Sequence, residues 1–289
     1  MKCMFFPYYG GKSRVIEIIV FLIPSKIEKW YELFGGSGVV TLNMVRHKIE
    51  VLNDFDPNVA NLHYCMSNEK FGKELKEKLI NIEYSKETFD KARADCKKEF
   101  TYLGDVDRAV SEYIVITQSF NSARKDWRKW GNTVKYQRKI IKNIHHVYRR
   151  LQGVEVTNRD AIEMLNDIED DENTFIFLDP PYVQDLRSKG ARNVYRCELK
   201  QSQQVMLLEK LQKIKKSKVI LCGYKATEGD LYDRYLLNYG WKRYKVAELK
   251  KPNYKKGDSG KGVEWIWVNY ELPEMAKYKI DLSTCNADE

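Results

Sequence analysis

The chain is poor in the features that mark membrane, secreted or metal-dependent proteins. No apolar run approaches the ~20 residues that a membrane span requires. The opening segment, Met1 to Phe6, has too few apolar residues for a signal peptide. Histidine is scarce, at four residues in 289, and the six cysteines stand far apart, at 3, 65, 96, 197, 222 and 285. No His/Cys cluster has metal-ligand or redox spacing, so no metal is expected, and the cysteines read as free thiols in a reducing cytoplasm. Repeats and low-complexity tracts are lacking. Proline is rare as well, seven in all, yet two of the seven are adjacent, at 180 and 181.

Hydrophobic residues make up 43% of the chain and charged residues 31%, an ordinary soluble globular balance. A length of 289 residues accommodates one large α/β domain with an inserted or appended module. The net charge is +9, and it is unevenly placed. Between Asn121 and Arg150, ten Lys/Arg face one acid, Asp126; between Lys242 and Gly262, eight face Glu248 and Asp258. The remainder is net negative. Segregated positive charge is the footprint of a polyanion site; the plain alternative is a solvated helix face. Phe120, Trp127, Trp130, Tyr136 and Tyr148 interleave the first cluster, which favours nucleic acid. Asn121, Arg124, Lys125, Arg128, Lys129, Asn132 and Gln137 are its candidate contacts to bases or phosphates. Lys255 and Lys256 are those of the second cluster.

Along the chain, residues 7–14 form a glycine turn opening a helix that carries Val15, Ile18, Ile19 and Leu22 at helical spacing. Trp30 to Phe34 reads as a strand. Gly35-Gly36-Ser37-Gly38 then turns into a helix with Val39, Leu42 and Val45. Glu50 to Asn53 is the next strand, ending at Asp54, and Pro57 suits the first turn of another helix. A strand, glycine turn, helix, strand and acid in that order is the βαβ solution for an adenosine-bearing cofactor, although each part alone is also an ordinary turn. From about Cys65 to Arg150 helical, Lys/Glu-rich stretches replace the strand rhythm, so this block reads as an insertion. Strands resume at Val154–Thr157, Thr174–Leu178 and Lys218–Gly223. A helix with Val205, Leu208, Leu211 and Ile214 on one face lies between the last two. Lys242–Leu249 and Val263–Tyr270 resemble a hairpin, and the last dozen residues are expected to be disordered.

The most telling residues are Asp179-Pro180-Pro181-Tyr182, directly after the apolar run Thr174–Leu178. Each proline lacks an N–H and has a fixed φ. The Asp179 carboxylate and the Pro180 carbonyl therefore offer acceptors with no competing donor at either proline, and Tyr182 offers a flat face. Such a turn can grip a planar, amino-bearing base. An unremarkable strand exit is the alternative, because proline ends strands.

Together these motifs resemble the D12 class of DNA adenine-N6 methyltransferases, the Dam-like enzymes. Tyr8-Tyr9-Gly10-Gly11-Lys12 is similar to the family's N-terminal cofactor motif, Glu32 to Gly38 to its glycine-rich motif, and Asn53-Asp54 to its ribose-binding acid motif. Asp160 stands where the family places an acid near the cofactor adenine, and Asp179 to Tyr182 match the catalytic motif. Phe120-Asn121 partly resembles a Phe-Asn-Gly element, with Ser122 departing from it, and Cys222 replaces a serine that the family often has. The resemblance implies a Rossmann-like α/β fold with a mostly parallel seven-stranded sheet. A catalytic, S-adenosylmethionine-binding domain (1–64 and 151–289) would carry an inserted target-recognition domain (65–150).

The resemblance also implies roles. Tyr8 and Lys12 would hold the cofactor's methionine end, Phe34 and Gly35 would lie beneath it, Gly36 and Gly38 would be further cofactor-binding residues, Asp54 would take the ribose and Asp160 the adenine. Asp179 would touch both cofactor and base, and Tyr182 would stack on the extruded adenine. Expected partners are double-stranded DNA and, within a restriction system, a cognate endonuclease; no membrane is involved, and a monomer in the cytoplasm of a bacterium or phage host is implied. Rival readings are a methyltransferase acting on cytosine N4, on RNA adenine or on protein, a non-catalytic DNA-binding module, and a nicotinamide-dependent oxidoreductase sharing the βαβ unit. The Asp-Pro-Pro-Tyr turn has no obvious role in the last.

Overall fold

A computed structural model of the chain describes residues 2–129, 131–182, 196–226, 228–250 and 261–285. In chain order its main elements are α1 (Ile16–Leu22), β1 (Lys29–Glu32), α2 (Val39–Asn43), β2 (Ile49–Asn53), α3 (Pro57–Ser67), α4 (Glu69–Ile80), α5 (Lys86–Asp95), α6 (Val106–Gln118) and α7 (Thr133–Leu151). There follow β3 (Glu155–Thr157), α8 (Ala161–Met164), β4 (Thr174–Leu178), α9 (Gln201–Leu211), β5 (Lys218–Gly223), α10 (Leu231–Leu236), β6 (Lys242–Lys250), β7 (Lys261–Val268) and α11 (Glu274–Cys285). The strands form one mixed seven-stranded sheet in the order β3-β2-β1-β4-β5-β7-β6. The β2/β3 and β4/β5 pairs are parallel, and β7 is antiparallel to both β5 and β6. Among the described residues no helix is long and apolar enough to cross a membrane.

The chain divides into two units, Met1–Ser13 with Glu32–Ala161, and Arg14–Tyr31 with Ile162–Glu289. In the first, α3 packs against α6, and α7 lays Tyr136, Ile140, Ile144, Val147 and Leu151 into the core. These residues recur three or four apart and so line one stripe of the helix. Lys135, Arg138, Lys139 and Lys142 fall on the opposite, exposed face. Positive charge and apolar core are thus two sides of one helix. Arg150 is an exception within the basic run: it makes a bidentate pair with the buried carboxylate of Glu50, at 2.7 and 2.8 Å.

In the second unit, β4 is buried at all five positions, and it is the strand that delivers Asp179. Register with β5 runs from Phe175↔Lys218 to Leu178↔Leu221. Trp30 stacks on Phe175 with centroids 5.5 Å apart and planes 14° off parallel. It also lies 6.1 Å from Phe177. The β6–β7 ladder extends to Lys250↔Lys261 and carries an irregularity between Lys245 and Ala247.

Two local expectations fail. The helix after the glycine turn stops at Asn43, and Val45 is 74% exposed. The cause is the Asn43 side chain, which donates to the Cys3 carbonyl and accepts from the Cys3 amide, at 2.7 and 2.8 Å. A side chain that satisfies a neighbouring backbone competes with the helix it sits in. The C-terminal stretch expected to be disordered is instead occupied to Cys285 by α11. The Pro273 carbonyl accepts from the Ala276 amide to begin that helix, and Ala276 and Ile280, four apart, are buried.

Trp30 is fully buried and stacked, so Trp30→Ala removes a large aromatic from a close-packed site. Urea unfolding should show a loss of about 3–5 kcal/mol. A loss below about 1 kcal/mol would mean that the stack does not support β4.

Candidate functional site

The first unit builds its site on the turn after β1. Gly35 donates to the Asn53 carbonyl at 2.7 Å, and Gly38 closes the turn by donating to Gly35 at 2.7 Å. At Gly35 a Cβ would stand 2.8 Å from Leu52 Cδ1 and 2.9 Å from the Asn53 oxygen, so only glycine fits. Gly36 and Gly38 have φ of +50° and +62°, which glycine adopts without a steric penalty. The Asp54 carboxylate holds this turn from the end of β2. One oxygen accepts from Gly36 at 2.7 Å, the other from Asp56 at 2.8 Å. Burial first, then the nearby Asp56 carboxylate, pushes the Asp54 carboxyl up to about 7.

Other predicted residues converge on the same turn. A Cβ at Gly36 would lie 3.0 Å from the Tyr8 ring, so Tyr8 packs flush on the turn. Burial drives the Tyr8 hydroxyl far above the ordinary phenol range. The Tyr8 carbonyl accepts from Gly11, and the buried Lys12 ammonium donates to Gly10 at 3.1 Å. Asn53, fully buried, ties the loop beyond β3: its amide donates to the Leu33 and Arg159 carbonyls, and its oxygen accepts from the Arg159 amide. This sets the neighbouring, half-buried Asp160. Three residues that the motif reading passed over complete the shell. His63 on α3 contacts the Gly36 carbonyl through Nε2 at 2.9 Å, and burial pushes its imidazole down to about 4, so the neutral ring is the donor. Asp56 caps α3 by accepting from Asn58 at 3.0 Å. Glu112 is fully buried on α6.

Arg124 requires a correction. Its place in the basic run put it among the DNA contacts, but its side chain is only 10% exposed. Nε lies 2.9 Å from Glu112, Nη1 lies 3.5 Å from Asp56, and the guanidinium sits 5.0 Å from the Tyr8 ring. Two buried acids require a cation, and that requirement turns the side chain inward. The other candidates stay outside. Asn121, Lys125, Arg128, Lys129 and Asn132 are exposed, while Gln137 is half-buried and donates to the Ile82 carbonyl at 3.2 Å. Asn132 also caps α7 by accepting from Lys135 at 3.1 Å, and the Arg128 Nε donates to the Tyr84 hydroxyl at 3.3 Å. Lys255 and Lys256 lie outside the described residues.

In the second unit, the chain leaves β4 through Asp179, half-buried, and Pro180, buried. The Pro181 carbonyl accepts from Gln204 at 2.8 Å, and the Gln204 oxygen accepts in turn from the Tyr232 hydroxyl at 2.9 Å. Tyr182 is buried; its hydroxyl donates to Glu264 on β7 at 2.9 Å, and its ring meets Tyr224 edge-on at 4.5 Å. Burial, reinforced by Asp179 and Glu264, keeps that phenol protonated. Gln204 and Glu264 carried no local motif. Their only sequence signal is a polar residue among core positions.

The family model of D12 class N6 adenine-specific DNA methyltransferases matches residues 8–249, and the chain belongs to that family. Among curated proteins it is 24% identical over 191 residues to the type II methyltransferase M1.LlaDCHI of Lactococcus lactis subsp. cremoris, covering 62% of this chain and 65% of that one. It is 25% identical over 183 residues to modification methylase StsI of Streptococcus sanguinis (61% and 28%). It is 23% identical over 289 residues to the type II methyltransferase M.FokI of Planomicrobium okeanokoites (91% and 42%). The matches thus span less than two thirds of each relative's own length.

The raised Asp54 carboxyl has a measurable consequence. An unfolded aspartate titrates near 4, so between about pH 4 and 7 the native state holds a proton that the unfolded chain has lost. Asp54 therefore lowers stability as pH rises through that window. Urea unfolding against pH should show the wild type losing ground to Asp54→Asn between pH 4 and 7. A stability difference independent of pH would refute the raised value.

Proposed function

We propose that the protein transfers a methyl group from S-adenosylmethionine to the N6 amino group of adenine in double-stranded DNA, acting on a base extruded from the duplex. The observation that carries this reading is the rigid Asp179-Pro180-Pro181-Tyr182 turn at the end of a fully buried strand, in a chain of this family. In support of the cofactor, a side chain at Gly35 would collide with Leu52 and Asn53. The turn beside it is held by a carboxylate whose two oxygens each retain acceptor capacity. Tyr8, Lys12, Phe34, Gly35, Gly36, Gly38, Asp54 and Asp160 would hold the cofactor with Asp179. When bound, it supplies an electrophilic methyl group on a sulfonium.

The rest falls to this chain's own groups. The amino nitrogen of adenine is a poor nucleophile because its lone pair is delocalised into the ring. The Asp179 carboxylate and the Pro180 carbonyl each accept a hydrogen bond from it and steer it toward tetrahedral geometry. With the Pro181 carbonyl engaged by Gln204, the second acceptor role goes to Pro180. The proton that nitrogen loses leaves through Asp179. Tyr182, tethered to Glu264, supplies stacking on the order of 1–3 kcal/mol. Positioning and preorganised acceptors are the main contributions. The base is extruded because its amino group is otherwise paired inside the duplex.

In this reading residues 65–150 form the target-recognition domain, inserted into a Rossmann-like catalytic domain (1–64 and 151–289) whose sheet is mostly parallel. Lys125, Arg128 and Lys129 contact phosphates, Asn121, Asn132 and Gln137 are the base-reading candidates, and Lys255 and Lys256 add phosphate contacts. A cognate restriction endonuclease would be its partner in the cell.

Labelled S-adenosylmethionine offered to DNA, RNA and protein in parallel tests the substrate, and long-read sequencing of DNA from an expressing host reports the modified base and its context. N6-methyladenine is expected; label in RNA, in protein or at cytosine would overturn the reading. Asp179→Ala should reduce transfer at least about a hundredfold with DNA affinity kept, and near-normal turnover would remove Asp179 from the chemistry. Charge reversal at Lys125, Arg128 and Lys129 should flatten the salt dependence of DNA binding by up to about 0.9 in log–log slope per lost phosphate contact. An unchanged slope would place the DNA elsewhere.

A further inference from the structure

Three non-glycine residues with left-handed backbone cluster in one short segment of the first unit: Asn121 (φ +50°), Ser122 (φ +57°) and Arg124 (φ +59°). Such conformations cost free energy and persist where the surroundings over-determine them, most often at functional positions. The segment is bounded by exposed residues of the proposed DNA face, Asn121 before and Lys125, Arg128 and Lys129 after. Between them Arg124 points the other way. The Ser119 hydroxyl accepts its backbone N–H at 3.0 Å, and the Arg93 guanidinium holds the Lys125 carbonyl. With the backbone fixed on both sides, the Arg124 side chain reaches Glu112, Asp56 and the face of Tyr8.

These contacts lead to the glycine turn by two routes. Tyr8 packs on Gly36. Asp56 donates its amide to Asp54, whose other oxygen holds the Gly36 amide. Among the described residues the Arg124 Nε and Nη2 are both buried without a regular hydrogen bond, so the guanidinium is held by charge and by the Tyr8 face. A guanidinium retained only for structure would be expected to have its donors satisfied.

We propose that Arg124 is a positioning residue of the cofactor site: contributed by the DNA-facing segment, it sets Tyr8 and the Asp54–Asp56 pair, so that cofactor affinity and DNA affinity depend on each other through this one side chain. The inference rests on the reading of the protein as a DNA methyltransferase. Nothing in the motif set assigns Arg124 this role, since its place in the sequence pointed to phosphate. Linkage requires the dependence to be reciprocal. It also predicts a pH signature. Asp54 is faced by Asp56 from its own loop, by Arg124 from the strained segment, by Tyr8 from the N-terminal segment, and by His63 of α3 through the Gly36 carbonyl; Glu112 of α6 faces Arg124. Of these Arg124 is the cation, and it favours the ionised Asp54.

The test is calorimetric binding of S-adenosylhomocysteine with and without mixed-sequence duplex DNA, from pH 6 to 9, for wild type, Arg124→Ala, Arg124→Lys and the surface control Lys139→Ala. In the wild type each ligand should tighten the other by about 5- to 150-fold, and cofactor affinity should fall as pH drops through about 7. Arg124→Ala should bring the coupling factor to one and move the pH midpoint upward. Arg124→Lys, which keeps the charge but not the two-acid fork, should retain the wild-type midpoint with reduced coupling, and it serves if the alanine variant does not fold. Lys139→Ala should weaken DNA binding and leave the coupling intact. Undiminished coupling in both Arg124 variants, or a wild type that binds the two ligands independently, would overturn the inference while leaving the methyltransferase reading in place. Failure of the wild type to bind S-adenosylhomocysteine at all would instead defeat that reading.

Discussion

The first unit is organised around the problem of keeping acids out of water. Glu112 and Asp56 are almost fully buried, and Asp54 is shielded enough to hold its proton to about pH 7. Isolated buried carboxylates are costly, and removing the partner of a buried pair leaves an uncompensated charge. Arg124 answers two of these acids directly. Asp54 relies instead on backbone N–H groups, one from Gly36 and one from Asp56. The glycine turn, the start of α3, α6 and the segment after it are therefore fixed by one electrostatic arrangement. That explains why a loop rich in glycine, with few side chains to pack, has a definite shape.

The same arrangement shows where sequence reasoning reached and where it stopped. The strand, glycine turn, helix, strand and acid order was legible because each part depends on nearest neighbours: periodicity for β2, fixed φ for Pro57, positive φ at Gly36 and Gly38. Asp179 to Tyr182 were legible for the same reason. Arg124 was not. A run of ten cations reads as a surface because most of its members are on one; of the members turned inward, Arg124 is identified only by acids that precede it by 12 and 68 positions, and Arg150 by one that precedes it by 100. Asn132 was half legible: an exposed asparagine three residues before Lys135 fits a helix cap as well as a base contact. The C-terminal helix was missed because its buried face rests on few residues, Ala276 and Ile280 among them.

Long-range polar contacts were the other loss. Tyr182 and Glu264 are 82 positions apart and Gln204 lies 23 from Pro181, so no local pattern connects them. Yet they decide how the turn can act. A buried tyrosine whose hydroxyl is held by a carboxylate cannot swing freely, and its edge-on contact with Tyr224 fixes the ring plane as well. Gln204, itself fully buried and anchored by Tyr232, holds the Pro181 carbonyl in place. Freedom removed from such groups in the fold need not be removed again on binding, the general advantage of preorganisation.

On the proposed reaction, the two halves of the chemistry make opposite electrostatic demands, and the chain meets them with different devices. The base must be met by acceptors, and two consecutive prolines remove the backbone donors that would compete with Asp179 and the Pro180 carbonyl. A sulfonium cofactor is cationic and must be met by negative charge, while its ribose hydroxyls also need acceptors. On this reading Asp54 would serve both needs, the charge only when ionised, and its own burial opposes ionisation. An incoming cation would shift that balance, because an opposite charge at close range favours the ionised carboxylate. The turn thus carries a carboxyl poised near neutrality, and on the proposed reading ionising it would become part of binding. On the same proposal, Arg124 lies between the segment assigned to DNA and that step.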